Sequence, residues 1–209
     1  MNTEDRVQWI YSSQNNQELI ERYSIWAKDY DQDLTDVFVY VSPQKAVEAF
    51  LKYVSQDAKI LDAGAGTGLV GQLLHQQGYH NLEAMDMSQG MLEEAGKKKV
   101  YTALHQGILG EPLDFSADYF DATVSIGVFT PGHAPSSAFD ELIRITKPGG
   151  YIIFSMRPDF YENSDFSEKQ SALAKSGQWE LVEIGEKFQC LPKGEPEIEL
   201  QIWVYQVVR

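Results

Sequence analysis

The sequence predicts an α/β protein, a doubly wound and mostly parallel sheet with helices on both faces. Three observations predict it. Short apolar runs alternate with amphipathic helical patterns through the middle of the chain. One of those runs, Phe120–Phe129, is nearly apolar throughout, as a parallel strand buried on both faces should be. A shorter run, Lys59-Ile60-Leu61, stops at the carboxylate of Asp62 and opens into Gly64, Gly66 and Gly68 before a helical pattern starts at Leu69. Glycine at alternate positions lets a backbone turn sharply and approach a ligand, and the helix that follows offers free N–H groups at its start.

The elements follow in order. Residues 1–12 show little periodicity and read as a loose or docked tail. Leu19, Ile20, Tyr23, Trp26, Ala27 and Tyr30 recur at helical spacing, and Asp31-Gln32-Asp33 ends that helix. Ser42-Pro43 opens a second helix, with Ser42 as N-cap and Val47, Phe50, Leu51 and Val54 facing inward. After the first core strand, a helix from Leu69 stops at Gly78. Asn81–Asp86 is a second strand, and Ser88 caps a helix containing Met91, Leu92 and Ala95. Val100–Leu104 gives a third strand and Phe120–Phe129 a fourth. Thr130–Pro135 is a loop, and Ser137 with Asp140 suggests a capping box for the helix carrying Phe139, Leu142, Ile143 and Ile145. Lys147–Gly150 is a turn, Tyr151–Met156 a fifth strand, and a helix runs from Ser167 to Lys175. Trp179–Gln189 and Glu197–Val207 alternate as an antiparallel hairpin pair. That makes seven strands. No repeat or low-complexity linker divides the 209 residues, so one domain is expected.

Composition narrows the function. Seventeen basic residues face 31 acidic ones, a formal charge of −14, which repels a phosphate backbone. The one basic run, Lys97-Lys98-Lys99, falls where a helix ends and suits its dipole. Nucleic acid is therefore not the expected partner. No stretch is long and apolar enough to span a bilayer, and the polar start Met1–Arg6 lacks a signal-peptide pattern. A lone cysteine, Cys190, allows no intrachain disulfide, and a reducing cytoplasm is the expected location. His75, His80 and His105 have no ligand-spaced partners, so no metal is expected.

The glycine loop by itself leaves three readings open. Gly66-Thr67-Gly68-Leu69-Val70-Gly71 fits the dinucleotide pattern, with Asp86 placed 20 residues on, as in an NAD-dependent oxidoreductase. Asp62 before the first glycine instead suits a ligand bearing an ammonium group, such as S-adenosylmethionine. The third reading is a structural turn. Whichever holds, Asp62, Asp86, Ile108, Ser125 and His133 fall at or near predicted strand C-termini and share one mouth.

Taken together, these motifs resemble class I S-adenosylmethionine-dependent methyltransferases. The matching stretches are Ile60–Gly68, Met85-Asp86-Met87-Ser88 with Met91-Leu92, Phe120-Asp121-Ala122, and Glu141-Leu142 before Lys147-Pro148-Gly149-Gly150. Within that superfamily the chain is most similar to the Williams–Beuren syndrome chromosome region 27 type, through Gly68–Gly71, Gly127, Gly132-His133, Glu141–Tyr151 and Trp26-Ala27 with Tyr30-Asp31. The resemblance implies a Rossmann-like core over residues 58–209 and a helical lid over residues 1–55. It implies S-adenosyl-L-methionine as cofactor, held at its methionyl end by Asp62 and the backbone of Gly64, Ala65, Gly66, Gly68 and Leu69. Asp86 would bind the ribose hydroxyls, and Met87 would lie on the adenine face. Gly107, Ile108 and Ser125 complete the set. Many relatives carry an acid where Ile108 stands; Asp114 is the candidate replacement. The plainer alternatives are a helix-start acid for Asp86 and core packing for Met87.

An oxygen or ammonium acceptor needs a base. His133, in the loop above the fourth strand, is the candidate, against the alternative of an ordinary loop histidine. Tyr23, Trp26, Tyr30 and Phe129 are candidates to wall the pocket, and Arg157 to meet an anionic substrate. The expected function is methyl transfer to a small molecule. The alternatives are an oxidoreductase, which lacks a Tyr-x-x-x-Lys pair here, and a non-enzymatic cofactor-binding regulatory module.

Overall fold

A computed structural model describes residues 3–209. The core alternates strand and helix: β1 (Ile60–Ala63), α4 (Leu69–Gln76), β2 (Leu82–Asp86), α5 (Gln89–Lys97), β3 (Ala103–Gln106), β4 (Phe120–Phe129), α6 (Ala138–Ile145) and β5 (Thr146–Met156). It is preceded by α1 (Thr3–Tyr11), α2 (Asn16–Gln32) and α3 (Ser42–Tyr53). It is followed by α7 (Pro158–Glu162), α8 (Phe166–Lys175), β6 (Trp179–Ile184), β7 (Phe188–Leu191) and β8 (Glu195–Val207).

The sheet order is β3-β2-β1-β4-β5-β8-β6. Strands β1 to β5 are parallel, and β8 enters antiparallel between β5 and β6. The order reverses between β1 and β4, so the connections leaving these two strands part on opposite sides and open a crevice at their C-terminal ends. Two apolar layers sandwich the sheet. One is built on Phe129, Phe139, Phe154, Phe166 and Trp179; the other joins Phe50 of α3 and Leu74 of α4 to Ile60, Val124 and Ile153.

The doubly wound architecture agrees with the sequence reading, and the differences lie at its edges. The expected hairpin pair is three strands. β8 is 13 residues long, and β6 pairs with its second half while β7 pairs with its first. The chain leaves the sheet between Ile184 and Phe188, although Gly185 N–H still donates to the Ile202 carbonyl at 2.8 Å. Residues 3–11, read as a tail, form α1, which buries Val7 and Ile10. Arg6 ties α1 to α2 through Asp29 (2.9 Å) and Asp33 (2.7 Å). A helix this short gets its stability from docking rather than propensity. Past Gln32 the chain continues as a π-helical turn, Asp33–Phe38, and Val39 then adopts φ +57°.

Smaller corrections have local causes. Val41, not Ser42, stands at the α3 N-cap, and Leu51 is exposed because it lies past the edge of the buried stripe. Ser137 makes no capping bond to α6. Strand β3 begins at Ala103, and Thr146 already pairs with Phe120, which draws the Lys147–Gly150 turn into β5. Ser88 does cap α5, accepting from the Met91 N–H at 3.2 Å. None of the described helices is long and apolar enough to cross a membrane.

Two contacts set the N-terminal helices on the crevice. Helix α2 crosses α5 so closely that a Cβ on Gly90 would lie 2.9 Å from the Ser24 Cα, and the hydroxyls of Ser24 and Ser88 bond at 2.8 Å. At its other end the segment meets the β7–β8 hairpin: Val41 N–H donates to the Cys190 carbonyl at 3.1 Å, and Gly194 leaves no room for a Cβ beside Phe38. Gly90→Val should therefore push α2 off α5. The expected result is faster proteolytic cleavage within residues 14–40, with the residues 58–156 core still protected.

Candidate functional site

The crevice is built from the glycine loop outward. Gly64, Gly66 and Gly68 have φ of +78°, +54° and +87°, a region that side chains other than glycine rarely tolerate. A Cβ on Gly64 would come within 2.4 Å of Val128, whereas the space above Gly66 is open. The loop folds back on β2, where Gly64 N–H and Ala65 N–H both donate to the Met85 carbonyl, at 2.7 and 3.0 Å. Gly68 and Gly71 make room for Tyr101. A Cβ at Gly71 would lie 2.2 Å from the Tyr101 hydroxyl.

Asp86 closes the loop from the other side. Its Oδ2 accepts from Gly66 N–H at 2.8 Å and its Oδ1 from Ser88 N–H at 2.9 Å. Each oxygen keeps a further lone pair. Burial pushes its pKa up, against those backbone donors. A cavity of about 100 Å³ lies in front of it. Its walls include Gly64 and Gly66 of the loop, an apolar slot formed by Met87, Met91 and Ile108, and His133. Its roof is Tyr23 and Tyr30 of α2.

The sequence-chosen residues divide into two groups. Gly64, Gly66, Asp86, Met87, Gly107, Ile108 and His133 line the cavity together. Asp62 lies behind the loop, 1% exposed, with Oδ2 accepting from the Tyr101 hydroxyl at 2.6 Å. Ser125 is also buried, donating to the Ala63 carbonyl at 2.8 Å. Ala65 accepts the Gly68 N–H at 2.8 Å, and Leu69 begins α4 and packs toward α2. Asp114 lies in a neighbouring groove of about 620 Å³ that shares Met87, Gly107 and Ile108 with the cavity.

Three expected wall or contact residues do other work. Phe129 is core, packed on Phe139, Phe154 and Phe166. Trp26 turns inward and donates Nε1–H to Asp33 at 2.7 Å. Arg157 forms a two-pronged pair with Asp159 at 3.0 and 2.6 Å. Among the described residues, no group of three or more histidines, cysteines or carboxylates is placed to hold a metal ion.

Other contacts had no sequence signal. Asp31 of α2 accepts from the Thr67 hydroxyl inside the glycine loop and pairs with Lys98 at the end of α5, so the roof is pinned to the loop. Tyr23 Oη lies 2.8 Å from His133 Nε2. His133 Nδ1 lies 3.1 Å from the Pro131 carbonyl and 3.1 Å from Thr130 Oγ1. A carbonyl can only accept, so the imidazole proton belongs on Nδ1 and Nε2 accepts from Tyr23. Burial holds the His133 pKa below its usual value.

Comparison with known proteins decides what this arrangement is. A methyltransferase domain family matches residues 61–154, which run from β1 to β5. The human methyltransferase-like protein 27 is 36% identical over 166 residues, covering 76% of this chain and 66% of that protein. The chain belongs to the class I S-adenosylmethionine-dependent methyltransferases. A malonyl-[acyl-carrier protein] O-methyltransferase from Priestia megaterium is 30% identical, with 78% of this chain and 58% of that protein covered. The chain thus spans slightly under two thirds of the length of these relatives. Among solved structures, a possible histamine N-methyltransferase from Thermotoga maritima superposes with a TM-score of 0.65, at 20% identity, over 90% of this chain and 98% of that one. A chain from the complex of the Haloferax volcanii Trm112 methyltransferase activator with its putative methyltransferase gives 0.69 at 17% identity, over 91% and 97%. These two show the shared fold.

The burial of Asp62 has a measurable consequence. Burial raises its pKa to about 7, with the Tyr101 hydroxyl opposing the rise. A carboxyl group that holds its proton more tightly when folded favours the folded state most below its unfolded value of about 3.9, and loses that advantage as pH rises through 7. Thermal melts of Asp62→Asn and wild type should therefore diverge with pH. The variant's melting temperature should gain on the wild type's between pH 5 and pH 8, whatever their offset at pH 5.

Proposed function

We propose that this chain transfers the methyl group of S-adenosylmethionine to a small-molecule acceptor enclosed beneath α1 and α2. The observation that carries the reading is the facing of Asp86 and the bare Gly64–Gly66 backbone across an apolar slot. Asp86 lines the cavity with both carboxylate oxygens held by backbone N–H groups, and its remaining acceptor capacity suits ribose hydroxyls. The slot of Met87, Met91 and Ile108 suits a flat purine, and the open face of Gly66 suits the close approach of an amino-acid tail. The cofactor would supply an activated methyl group on a good leaving group, so alignment and exclusion of water are left to the protein.

Gly64 separates Asp62 from the cavity. In this reading Asp62 acts on the cofactor's ammonium group through its field and by holding Tyr101 against the loop. The tyrosine faces of α2 are suited to a cationic sulfonium. Gly71, the third glycine of the dinucleotide pattern, is occupied by the Tyr101 ring, which argues against an oxidoreductase. Residues 1–55 act as a lid. A cavity of about 100 Å³ is well under the ~300–1,000 Å³ of ordinary ligand pockets, so a whole nucleoside enters only when α2 swings out. A small acceptor also fits the −14 charge, which disfavours nucleic acid, and a cytoplasmic setting fits the lone buried Cys190.

Calorimetric titration with S-adenosylhomocysteine and with NADH tests the cofactor. The first should bind and the second should not; the reverse would overturn the reading. Asp86→Ala removes two hydrogen bonds to a charged group, and should weaken S-adenosylhomocysteine by about tenfold or more without unfolding the chain. Tritiated-methyl transfer should label the small-molecule fraction of an extract rather than its protein or RNA.

A further inference from the structure

The cavity's polar lining, on the side away from the methionine slot, consists of Asn16, Tyr23, Tyr30 and His133. Among the described residues, no lysine or arginine lines it. Arg157, the sequence candidate for meeting an anionic substrate, is spent on Asp159. Asp86 adds carboxylate oxygens on the loop side. An anionic acceptor would enter such a space with no partner for its charge, a large desolvation cost. A neutral acceptor, or a cation facing tyrosine rings, would not meet that cost.

The Tyr23–His133 contact supplies a route for a proton. The Pro131 carbonyl fixes the imidazole proton on Nδ1. Nε2 therefore takes the Tyr23 O–H at 2.8 Å, which leaves the Tyr23 oxygen with lone pairs toward the cavity. His133 also lines the cavity, but its Nε2 lone pair is taken by Tyr23 and is not free for the acceptor. Building on the methyltransferase reading above, we infer that Tyr23 is a catalytic residue that relays the proton of an uncharged or cationic O–H or N–H acceptor to His133.

The step balances. The acceptor's O–H or N–H bond breaks and its proton goes to Tyr23 Oη. The original Tyr23 proton goes to His133 Nε2, making an imidazolium whose Nδ1–H still donates to Pro131. The pair freed on the acceptor forms the new bond to the methyl carbon, while the carbon–sulfur pair stays on sulfur. The roof delivers the relay, because Tyr23 reaches His133 only while α2 lies on α5. The edge contacts that Tyr23 makes with Tyr30 and His133, at 6.3 and 5.9 Å between ring centres, need its ring and not its hydroxyl. Tyr23→Phe therefore isolates the relay from the packing.

Three measurements on protein saturated with S-adenosylhomocysteine or the methyl donor test this. Saturation-transfer NMR with phenol, benzylammonium and benzoate should show the first two bound and benzoate not. Benzoate bound as well as phenol, or neither of the first two bound, overturns the acceptor class. In ¹⁵N-histidine spectra, Tyr23→Phe should move the His133 Nε2 resonance and raise its titration point, since a donor that favours neutral imidazole is lost. The titratable groups facing that ring are Tyr23 from α2 and Tyr11 from α1. An unmoved Nε2 resonance overturns the pairing. Finally, Tyr23→Phe should cut methyl transfer into the small-molecule fraction roughly a hundredfold, with S-adenosylhomocysteine affinity within about twofold. Undiminished transfer overturns the relay. Absence of transfer by the wild type, or of S-adenosylhomocysteine binding, counts instead against the methyltransferase reading.

Discussion

Asp86 is the carboxylate on which the crevice depends. It ends β2 and holds the two turns that flank it, Gly66 on one oxygen and Ser88 on the other. Through Gly66 it fixes the left-handed glycine loop; through Ser88 it fixes the start of α5. Helix α2 grasps the same two turns by their side chains, Asp31 taking the Thr67 hydroxyl and Ser24 bonding the Ser88 hydroxyl. One half-buried carboxylate therefore sets the floor and the footing of the roof. Backbone donors at Ser88, Gly66 and Met87 offset only part of its desolvation, which is why its pKa stays raised.

The roof shows how much a tertiary contact adds to a weak local signal. Helix α1 has no strong stripe of its own, yet it is held by Arg6 on Asp29 and Asp33, and by the cation–π contact of Arg22 over Trp9 at 5.3 Å. Asp33 in turn takes the Trp26 indole N–H, so the base of α2, the π-helical turn and α1 meet on one acid. The tyrosines that reach into the cavity are then presented from a helix with little freedom to turn.

What the sequence made legible follows from period and punctuation. Alternating strand and helix patterns, the three glycines and the acid ending β2 were readable because each is a local signal with a local cause. Of the cavity-lining set, Asp86, Ile108 and His133 followed from one rule, that such sheets bind at their strand C-termini, while Met87 and Gly107 came from the family resemblance. The misplaced residues share a different cause. Phe129, Trp26 and Ser125 have the right chemistry at the right height, but strand alternation and helix rotation turn them into the core. The contacts of Tyr101 and Asp31 were invisible because each meets its partner, Asp62 or Thr67, across more than 30 residues, and no spacing rule spans that distance. The split of the closing hairpin into β6 and β7 escaped notice because both runs alternate in the same way, and only the length of β8 separates them.

The meeting of the π-helical turn with the β7–β8 hairpin has a wider meaning. Phe38 and Val41 near the start of the chain touch Gly194 and Cys190 near its close, so the two peripheral segments form a single continuous layer. The chain's opening and closing stretches are thus clasped to each other as well as to the core, so strain introduced at one is felt at the other.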